Sequence, residues 1–190
     1  PIVAGGNFTV SNAAPNSGGW AAVDLANPAT HSGNVNGFGM FGTFDMPNGS
    51  LTLAAGSGPV TGTFNGLNVT GNIDIRGRST ASNATTTSGG VRMIIGRISG
   101  ASVSITGSTT GTREGVYIYG ISGAGGANLS TITSTSGSVA ITGQSTSGSA
   151  VYNEGSITSA NGVTITGTAT TATTVVNIAS SVASGAPSSP

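Results

Sequence analysis

Carboxylates are the side chains that could catalyse glycoside hydrolysis here, and the chain has only five of them. Such hydrolysis needs two carboxyl groups about 5–10 Å apart, one acting as an acid and the other as a base or nucleophile. Glu114 and Glu154 occupy similar positions, each beside a short apolar run. The complete set is Asp24, Asp45, Asp74, Glu114 and Glu154. We expect solvated turn residues, so the sequence predicts no catalytic residue and no enzymatic activity.

Patterns for nucleophilic catalysis, metal binding and nucleotide binding are equally weak. His31 is the only histidine, so a Ser–His–Asp arrangement would need it together with Asp24 or Asp45. Without cysteine a transition-metal site would lack ligands, and a calcium site would need a repeated Asp pattern that the chain does not have. Gly37–Gly42 matches G-x-G-x-x-G, but no helix is predicted after it, and 33 glycines make chance matches frequent. We therefore predict neither a cofactor nor a metal ion.

Aromatic side chains are the best candidates for contact with carbohydrate or protein, because their ring faces supply stacking area. The three tyrosines fall in two adjacent repeats, and the single tryptophan lies far upstream. The loops Arg113–Gly115 and Gly120–Asn128 can present further groups. The predicted contact surface consists of Trp20, Arg113, Tyr117, Tyr119 and Tyr152. Packing of these rings at corners of the fold is the alternative.

Asn-x-Ser/Thr sequons occur at the frequency expected by chance. From 15 Asn and 55 Ser or Thr in 190 residues, about four matches are expected, and five are present. They are Asn7, Asn48, Asn68, Asn83 and Asn128. These positions are candidate glycosylation sites without statistical support.

The elements that must position these residues are predicted to be short β-strands. Val and Ile number 29 against five Leu, and Thr adds another 28 β-branched residues, which suit strands better than helices. Five Arg balance five acids and Lys is absent, so the clustered basic charge that nucleic acids and anionic membranes require is missing. No apolar run reaches the 18 residues of a membrane-spanning helix. We predict an all-β chain with no nucleic-acid partner and no membrane insertion.

A short pattern, Val-x-Ile-Thr-Gly, recurs at 103–107, 139–143 and 163–167, with a looser copy at 72–77. After each of the last three copies a second apolar run follows at eight or nine residues, and a third run precedes the next copy. The Val and Ile share one face of a strand, and that face is buried only when coils stack about 4.8 Å apart. The repeat predicts a parallel β-helix, or β-solenoid, of about seven or eight three-stranded coils. An antiparallel β-sandwich is the competing fold.

Composition divides the chain into three parts. Residues 1–66 hold all five Phe, the Trp and five of the seven Pro, whereas residues 60–186 hold no Pro. We predict irregular coils or an elaborated end of the solenoid at 1–66, regular coils at 67–183, and a tail or linker at 184–190. The strands predicted in the first part are Phe8–Val10, Trp20–Leu25, Phe38–Phe44 and Leu51–Leu53.

The repeat text resembles that of a known group of proteins. The residues that carry the resemblance are Gly-Ser-Val-Ala-Ile-Thr-Gly at 137–143, Val-Tyr-Asn at 151–153 and the run from Ser156 to Gly167. They are similar to large bacterial exoproteins of the filamentous haemagglutinin and high-molecular-weight adhesin type. Those proteins are exported by two-partner secretion and fold as right-handed β-helices. The resemblance covers about residues 67–182 and is one of repeat style.

The resemblance implies a non-enzymatic protein that is secreted or held at the bacterial cell surface, as a segment of an adhesin or fibre. Its expected partner is a protein or glycan on a host or neighbouring cell, or copies of itself end to end. A self-assembling subunit of an extracellular filament is the alternative, and a polysaccharide-binding or polysaccharide-cleaving β-helix is the third reading.

Overall fold

The computed structural model describes residues 2–3, 8–12, 23–25, 43–46, 51–55, 60–62, 66–79, 90–94, 97–120, 130–172, 174–179 and 182–184. Within these ranges the regular structure consists of nineteen β-strands arranged in three sheets. None of these residues belongs to a helix that is long and apolar enough to cross a membrane.

Each sheet takes every third strand of the chain. Sheet A contains β1 (Ile2–Val3), β4 (Thr43–Met46), β7 (Gly66–Val69), β10 (Arg97–Gly100), β13 (Thr131–Ser134), β16 (Ser156–Ser159) and β19 (Val182–Ser184). Sheet B contains β2 (Phe8–Asn12), β5 (Leu51–Ala55), β8 (Ile73–Ser79), β11 (Val103–Thr109), β14 (Val139–Ser145) and β17 (Val163–Ala169). Sheet C contains β3 (Val23–Leu25), β6 (Val60–Gly62), β9 (Val91–Ile94), β12 (Val116–Tyr119), β15 (Val151–Asn153) and β18 (Val176–Ile178).

The chain is a parallel β-helix of three-stranded coils, as the repeat predicts. The neighbouring strands of the described residues run parallel, and each strand pairs with the strand three places further along the chain. An antiparallel sandwich is incompatible with this topology. The right-handed sense stays a prediction, which the general preference of crossover connections favours.

The described strands form six complete coils, preceded by β1, rather than the seven or eight coils predicted from a 24-residue spacing. That spacing holds for the step from Val139 to Val163, whereas the step from Phe8 to Leu51 takes 43 residues. The extra residues lie between strands. The strands of the first 66 residues nevertheless pair within the same three sheets, so this part belongs to the same solenoid. Residues 20–22, 38–42 and 185–190, which hold parts of predicted strands and of the predicted tail, lie outside the described residues.

The core consists of columns of Val and Ile stacked in register. In sheet B, Ile75, Ile105 and Ile141 are direct partners and each is 1% exposed. Within each strand the residues that alternate with these isoleucines face the surface, as the burial pattern of β11 shows. The sequence assignment of Val and Ile to the inner face is therefore confirmed for these strands.

The glycine that closes each repeat copy lies inside the strand, not at its end. In sheet B the strands β11 and β14 continue for two residues beyond Gly107 and Gly143, and both glycines are buried. A Cβ atom at Gly107 would overlap the carbonyl group of Gly115, and one at Gly143 would overlap that of Ala150. Glycine is needed here because the backbone of the corner leading to sheet C packs directly against the strand.

Candidate functional site

The outer face of sheet C carries a row of large polar and aromatic side chains. Val91, Val116 and Val151 are buried register partners, so the residue after each of them faces outward. This places Arg92, Tyr117 and Tyr152 side by side on three successive coils. The spacing between neighbours in the row is the roughly 4.8 Å separation of paired strands.

The tyrosine rings pack against one another by their edges. Tyr117 is in the centre, with ring centroids 5.6 Å from Tyr119 at 86° and 5.3 Å from Tyr152 at 77°. The guanidinium carbon of Arg92 lies 5.6 Å from the Tyr117 ring centroid, within range of a cation–π interaction. All three rings are half-buried, so parts of Tyr119 and Tyr152 remain accessible on either side of Tyr117.

Glu154 forms hydrogen bonds at one edge of this cluster. The Tyr117 hydroxyl donates a hydrogen bond to Glu154 Oε2 at 3.0 Å, and the Gly120 amide donates to the same oxygen at 3.2 Å. The Glu154 amide in turn donates to the Ile118 carbonyl at 2.8 Å. Arg92, Tyr117, Tyr119, Tyr152 and Glu154 together form what we call the tyrosine surface.

A buried asparagine holds the turn that carries Glu154. Asn153 is fully buried, and its side chain accepts a hydrogen bond from the Gly155 amide at 3.1 Å and donates one to the Gly155 carbonyl at 2.9 Å. Because both polar groups of the Asn153 amide are satisfied within the turn, its burial is tolerated. The Glu154 carboxylate therefore projects from a turn that the Asn153 side chain stabilises with two hydrogen bonds.

The environment of the two central hydroxyls keeps them protonated. Partial burial, followed by the hydrogen bond to Glu154 and its negative charge, raises the pKa of Tyr117 far above its ordinary value, against a smaller opposing effect of Arg92. The charge of Glu154 is also the main cause that raises the pKa of Tyr152. A phenol with its ordinary pKa is already neutral at physiological pH, so these shifts extend the pH range in which both hydroxyls are neutral donors upward.

The arrangement suits contact with a polyhydroxylated ligand. Tyrosine rings offer apolar faces for the C–H side of a sugar, while the phenol, carboxylate and guanidinium groups offer hydrogen-bonding partners for hydroxyls. Because the rings stand on paired strands of a stacked solenoid, little conformational freedom is lost when a ligand binds.

The structure brings three of the five predicted contact residues together. Tyr117, Tyr119 and Tyr152 form the centre of the tyrosine surface. Arg113 lies in the turn before β12, where its carbonyl accepts a hydrogen bond from the Ser145 hydroxyl at 2.7 Å. The remaining predicted residue, Trp20, lies outside the described residues, as does 121–128 of the predicted loop.

Several weaker sequence candidates also fall outside the described part of the chain. These are His31, the glycine motif 37–42, and the sequons at Asn7, Asn48, Asn83 and Asn128. Asn68 is exposed and lies in β7, and its use as a glycosylation site stays a prediction.

The predicted turn location is wrong for Asp24, Asp45 and Asp74, which lie on β3, β4 and β8. On β8, Arg76 donates a hydrogen bond to the Oδ1 atom of Asp74 at 3.1 Å across the outer face of the strand. In the ranges that the structure describes, no three acidic, histidine or cysteine side chains come together as metal ligands would.

The sequence analysis did not predict two features of the tyrosine surface. These are the presence of Arg92 in it and the contact of Glu154 with Tyr117. The Val-Arg-Met run at 91–93 aligns with Val-Tyr-Ile at 116–118, but it follows Gly77 by 14 residues instead of eight or nine. Allowing a longer corner in that coil would have revealed the alignment. The Glu154 contact depends on the turn at Asn153–Gly155, which the repeat pattern does not encode.

A groove lies where sheet B turns toward sheet C. This polar groove has a volume of about 500 Å³. Ser108, Gln144 and Thr168 are register partners along its wall, and Arg78 extends the same row. The side chains of the groove are hydroxyls, an amide and a guanidinium, so it offers hydrogen bonds without the stacking area of the tyrosine surface.

Comparison with protein-family models, with curated proteins and with solved structures found no match. The likeness to haemagglutinin-type exoproteins therefore depends on the repeat text alone.

Proposed function

We propose that this chain is a non-enzymatic, extracellular adhesive β-helix, a segment of a bacterial surface adhesin or fibre, whose tyrosine surface binds a glycan on another cell. The observation that carries the proposal is the clustering of all three tyrosines of the chain on one outer face. The repeat text at 137–167, which resembles secreted adhesins, supports the extracellular location.

The outward side chains of two strands of sheet B make this cluster stand out. On sheet B the outward residues of β11 and β17 are small hydroxyl side chains, such as Ser104, Thr106, Thr164 and Thr166. The pair of Tyr117 and Tyr152 adds to the pairing of β12 with β15. Coils of sheet B pair without aromatic rings, so we attribute the concentration of rings on sheet C to a ligand.

The contacts of the acids support a binding role over a catalytic one. Glu154 Oε2 already accepts two hydrogen bonds, from the Tyr117 hydroxyl and the Gly120 amide. Asp74 is paired with the exposed Arg76. A carboxylate held in this way is a positioned acceptor for ligand hydroxyls. Glu114, whose negative charge also raises the pKa of Tyr117 and Tyr152, is the acid that would have to act with it at about 5–10 Å in hydrolysis.

The test is a glycan array probed with the purified chain, followed by measurement of affinity for the best ligand. We expect Tyr119→Ala and Tyr152→Ala each to weaken binding by about tenfold, the effect of losing roughly 1.4 kcal/mol of ring contact. Tyr152→Phe keeps the ring and should retain most of the affinity.

Two control variants separate the tyrosine surface from the rest of the solenoid. Thr166→Ala removes an outward side chain of sheet B, and Gln144→Ala removes the amide of the polar groove. Both should bind like the parent chain. Unchanged affinity in the two tyrosine-to-alanine variants, or a loss confined to Gln144→Ala, would show that the tyrosine surface is not the glycan site.

A further inference from the structure

The polar groove between sheets B and C is lined by two rows of side chains that cross successive coils. One row consists of register partners on the outer face of sheet B, which are Arg78, Ser108, Gln144 and Thr168. The second row follows the last three of these by two residues, at the corner leading to sheet C, and contains Thr110, Thr146 and Thr170. Because paired strands lie about 4.8 Å apart, the four positions of the first row span about 14 Å along the solenoid. The groove is therefore long enough for an extended ligand.

The centre of the groove is formed by interior coils. Ser108 and Gln144 lie on β11 and β14, and each of these strands pairs with a described strand on both sides. The corners that follow the two strands, 110–115 and 146–150, also belong to the described residues. The concave shape at this place is thus a property of the stacked coils themselves.

Two buried hydroxyl groups hold the floor of the groove in place. The Ser145 hydroxyl donates a hydrogen bond to the Arg113 carbonyl at 2.7 Å and accepts one from the Gly148 amide at 2.9 Å. The Thr109 hydroxyl accepts a hydrogen bond from the Gly111 amide at 3.1 Å. Because these bonds tie the floor to the corners, the groove keeps its shape when no ligand is bound.

The outward side chains of the groove have no partners of this kind. Arg76 forms an ion pair with Asp74, whereas in the described part of the chain no residue accepts a hydrogen bond from the guanidinium of Arg78, two residues further along the strand. The Ser108 hydroxyl and the Gln144 amide likewise make no hydrogen bond to another described residue. The groove therefore presents unused hydrogen-bond donors on a fixed frame.

The charge of the groove indicates the class of ligand. Among the described residues that line it, Arg78 is the charged one and none is acidic. A guanidinium group binds a negatively charged oxygen group strongly, and with a carboxylate it can form two parallel hydrogen bonds. Hydroxyl and amide side chains both donate and accept, as the hydroxyls of a sugar do.

We propose that the polar groove binds a segment of an acidic polysaccharide, in addition to the ligand of the tyrosine surface. A carboxylate or sulfate ester of one sugar pairs with Arg78. The hydroxyls of the following sugars contact Ser108 and Gln144 on the next two coils.

Other anionic polymers fit the groove less well. A nucleic acid needs several cations along its backbone and aromatic rings on which its bases stack, whereas the described lining has one guanidinium and no ring. An extended acidic peptide would bind by adding a strand to a free sheet edge, and β8, β11 and β14 are already paired on both sides. A polysaccharide requires neither feature.

The ligand class is tested by measuring the affinity of the purified chain for a short oligouronate, a sulfated oligosaccharide and a neutral oligosaccharide of the same length. We expect at least one acidic ligand to bind about tenfold more tightly than the neutral one, because only an acidic group pairs with the guanidinium. The tighter of the two acidic ligands identifies the group as a carboxylate or a sulfate ester. Equal affinity for all three, or no binding of either acidic ligand, would overturn the proposal.

A matched pair of variants separates the groove from general attraction of charge. Arg78→Ser and Arg76→Ser remove the same charge from exposed positions of β8, so both chains should fold. Arg78→Ser should weaken binding of the acidic ligand by about tenfold. Arg76 does not line the groove, so at physiological ionic strength Arg76→Ser should weaken binding by less than about twofold. Equal losses in the two variants would contradict a site at Arg78.

Gln144 reports directly on the groove because it is the single glutamine of the chain. In NMR spectra of a chain labelled at the glutamine side chain, the amide resonances of Gln144 should shift on titration with the acidic oligosaccharide. Resonances that stay unchanged at saturation would place the ligand elsewhere. Tyr119→Ala should bind the acidic ligand like the parent chain, so failure of the groove and failure of the tyrosine surface are distinguishable. Loss of the acidic ligand in Tyr119→Ala instead of Arg78→Ser would assign it to the tyrosine surface and overturn the proposal.

Discussion

At the scale of single residues, glycine decides how close two segments of a coil can approach. Gly107 and Gly143 occupy equivalent positions in β11 and β14, and each faces the backbone of the corner leading into sheet C. The recurring glycine of the repeat is therefore a packing requirement inside a strand. The repeat identifies the position of this glycine but not its packing role, because glycine also serves in turns.

Alanine substitution should distinguish this packing role from backbone strain. Gly143→Ala should lower the free energy of unfolding by about 3 kcal/mol, because the added carbon overlaps a backbone carbonyl that cannot move without shifting the coil. Gly162→Ala meets no atom within 4 Å, but its φ of +104° disfavours alanine, so about 1 kcal/mol should be lost. Urea unfolding measures both values, and an equal or larger loss at Gly162 would contradict this account of the glycine column.

The hydrogen bond between Tyr117 and Glu154 should be visible in the pH dependence of stability. Burial and Glu154 raise the pKa of Tyr117 above the ordinary value of 10.0, so the folded chain holds this proton more tightly than the unfolded chain does. The resulting stability is fully present below about pH 10 and is lost as the pH rises further. The chain has no Lys to titrate in the same range.

Tyr117→Phe should therefore show a smaller loss of stability between pH 9 and 11 than the parent chain, although at pH 7 it is less stable by about 1 kcal/mol. Tyr119→Phe keeps the bond between Tyr117 and Glu154 and serves as the matched control. The measurement is urea unfolding at a series of pH values. Parallel curves for Tyr117→Phe and the parent chain would mean that the bond does not contribute.

At the scale of elements, the sequence predicts the strands best where the coil is short. The alternation of Val and Ile defines the inner columns of β11, β14 and β17, and the register joins Val103, Val139 and Val163 as partners. The three tyrosines could be placed on one face for the same reason. In other coils, long corners obscure which strands are equivalent, because inserted residues and not the stacking itself set the number of residues between strands. For this reason the sequence analysis did not place Arg92 beside Tyr117.

Burial along one column predicts how stability varies between coils. Ile141 has a coil on either side and is 1% exposed, whereas its partner Ile165 in the last coil is half-exposed. Ile141→Ala should cost about 4 kcal/mol and Ile165→Ala about half as much, since less apolar surface and a smaller cavity are involved. Urea unfolding of the two variants measures both costs. Equal costs would show that Ile165 is as well packed as the interior.

At the scale of the whole molecule, the low charge and small side chains agree with a stacked scaffold. Val and Ile fill the inner columns, glycine permits the close corners, and Ser and Thr cover the outer faces of β11 and β17. The tyrosine surface is the main departure from this plan.

The most direct test of the adhesive function uses the tyrosines themselves as reporters. All three tyrosines of the chain belong to the tyrosine surface. In NMR spectra of a chain labelled on the tyrosine rings, titration with the glycan selected by the array should shift the resonances of Tyr119 and Tyr152. Saturation with the glycan while every tyrosine resonance stays unchanged would contradict the proposed function.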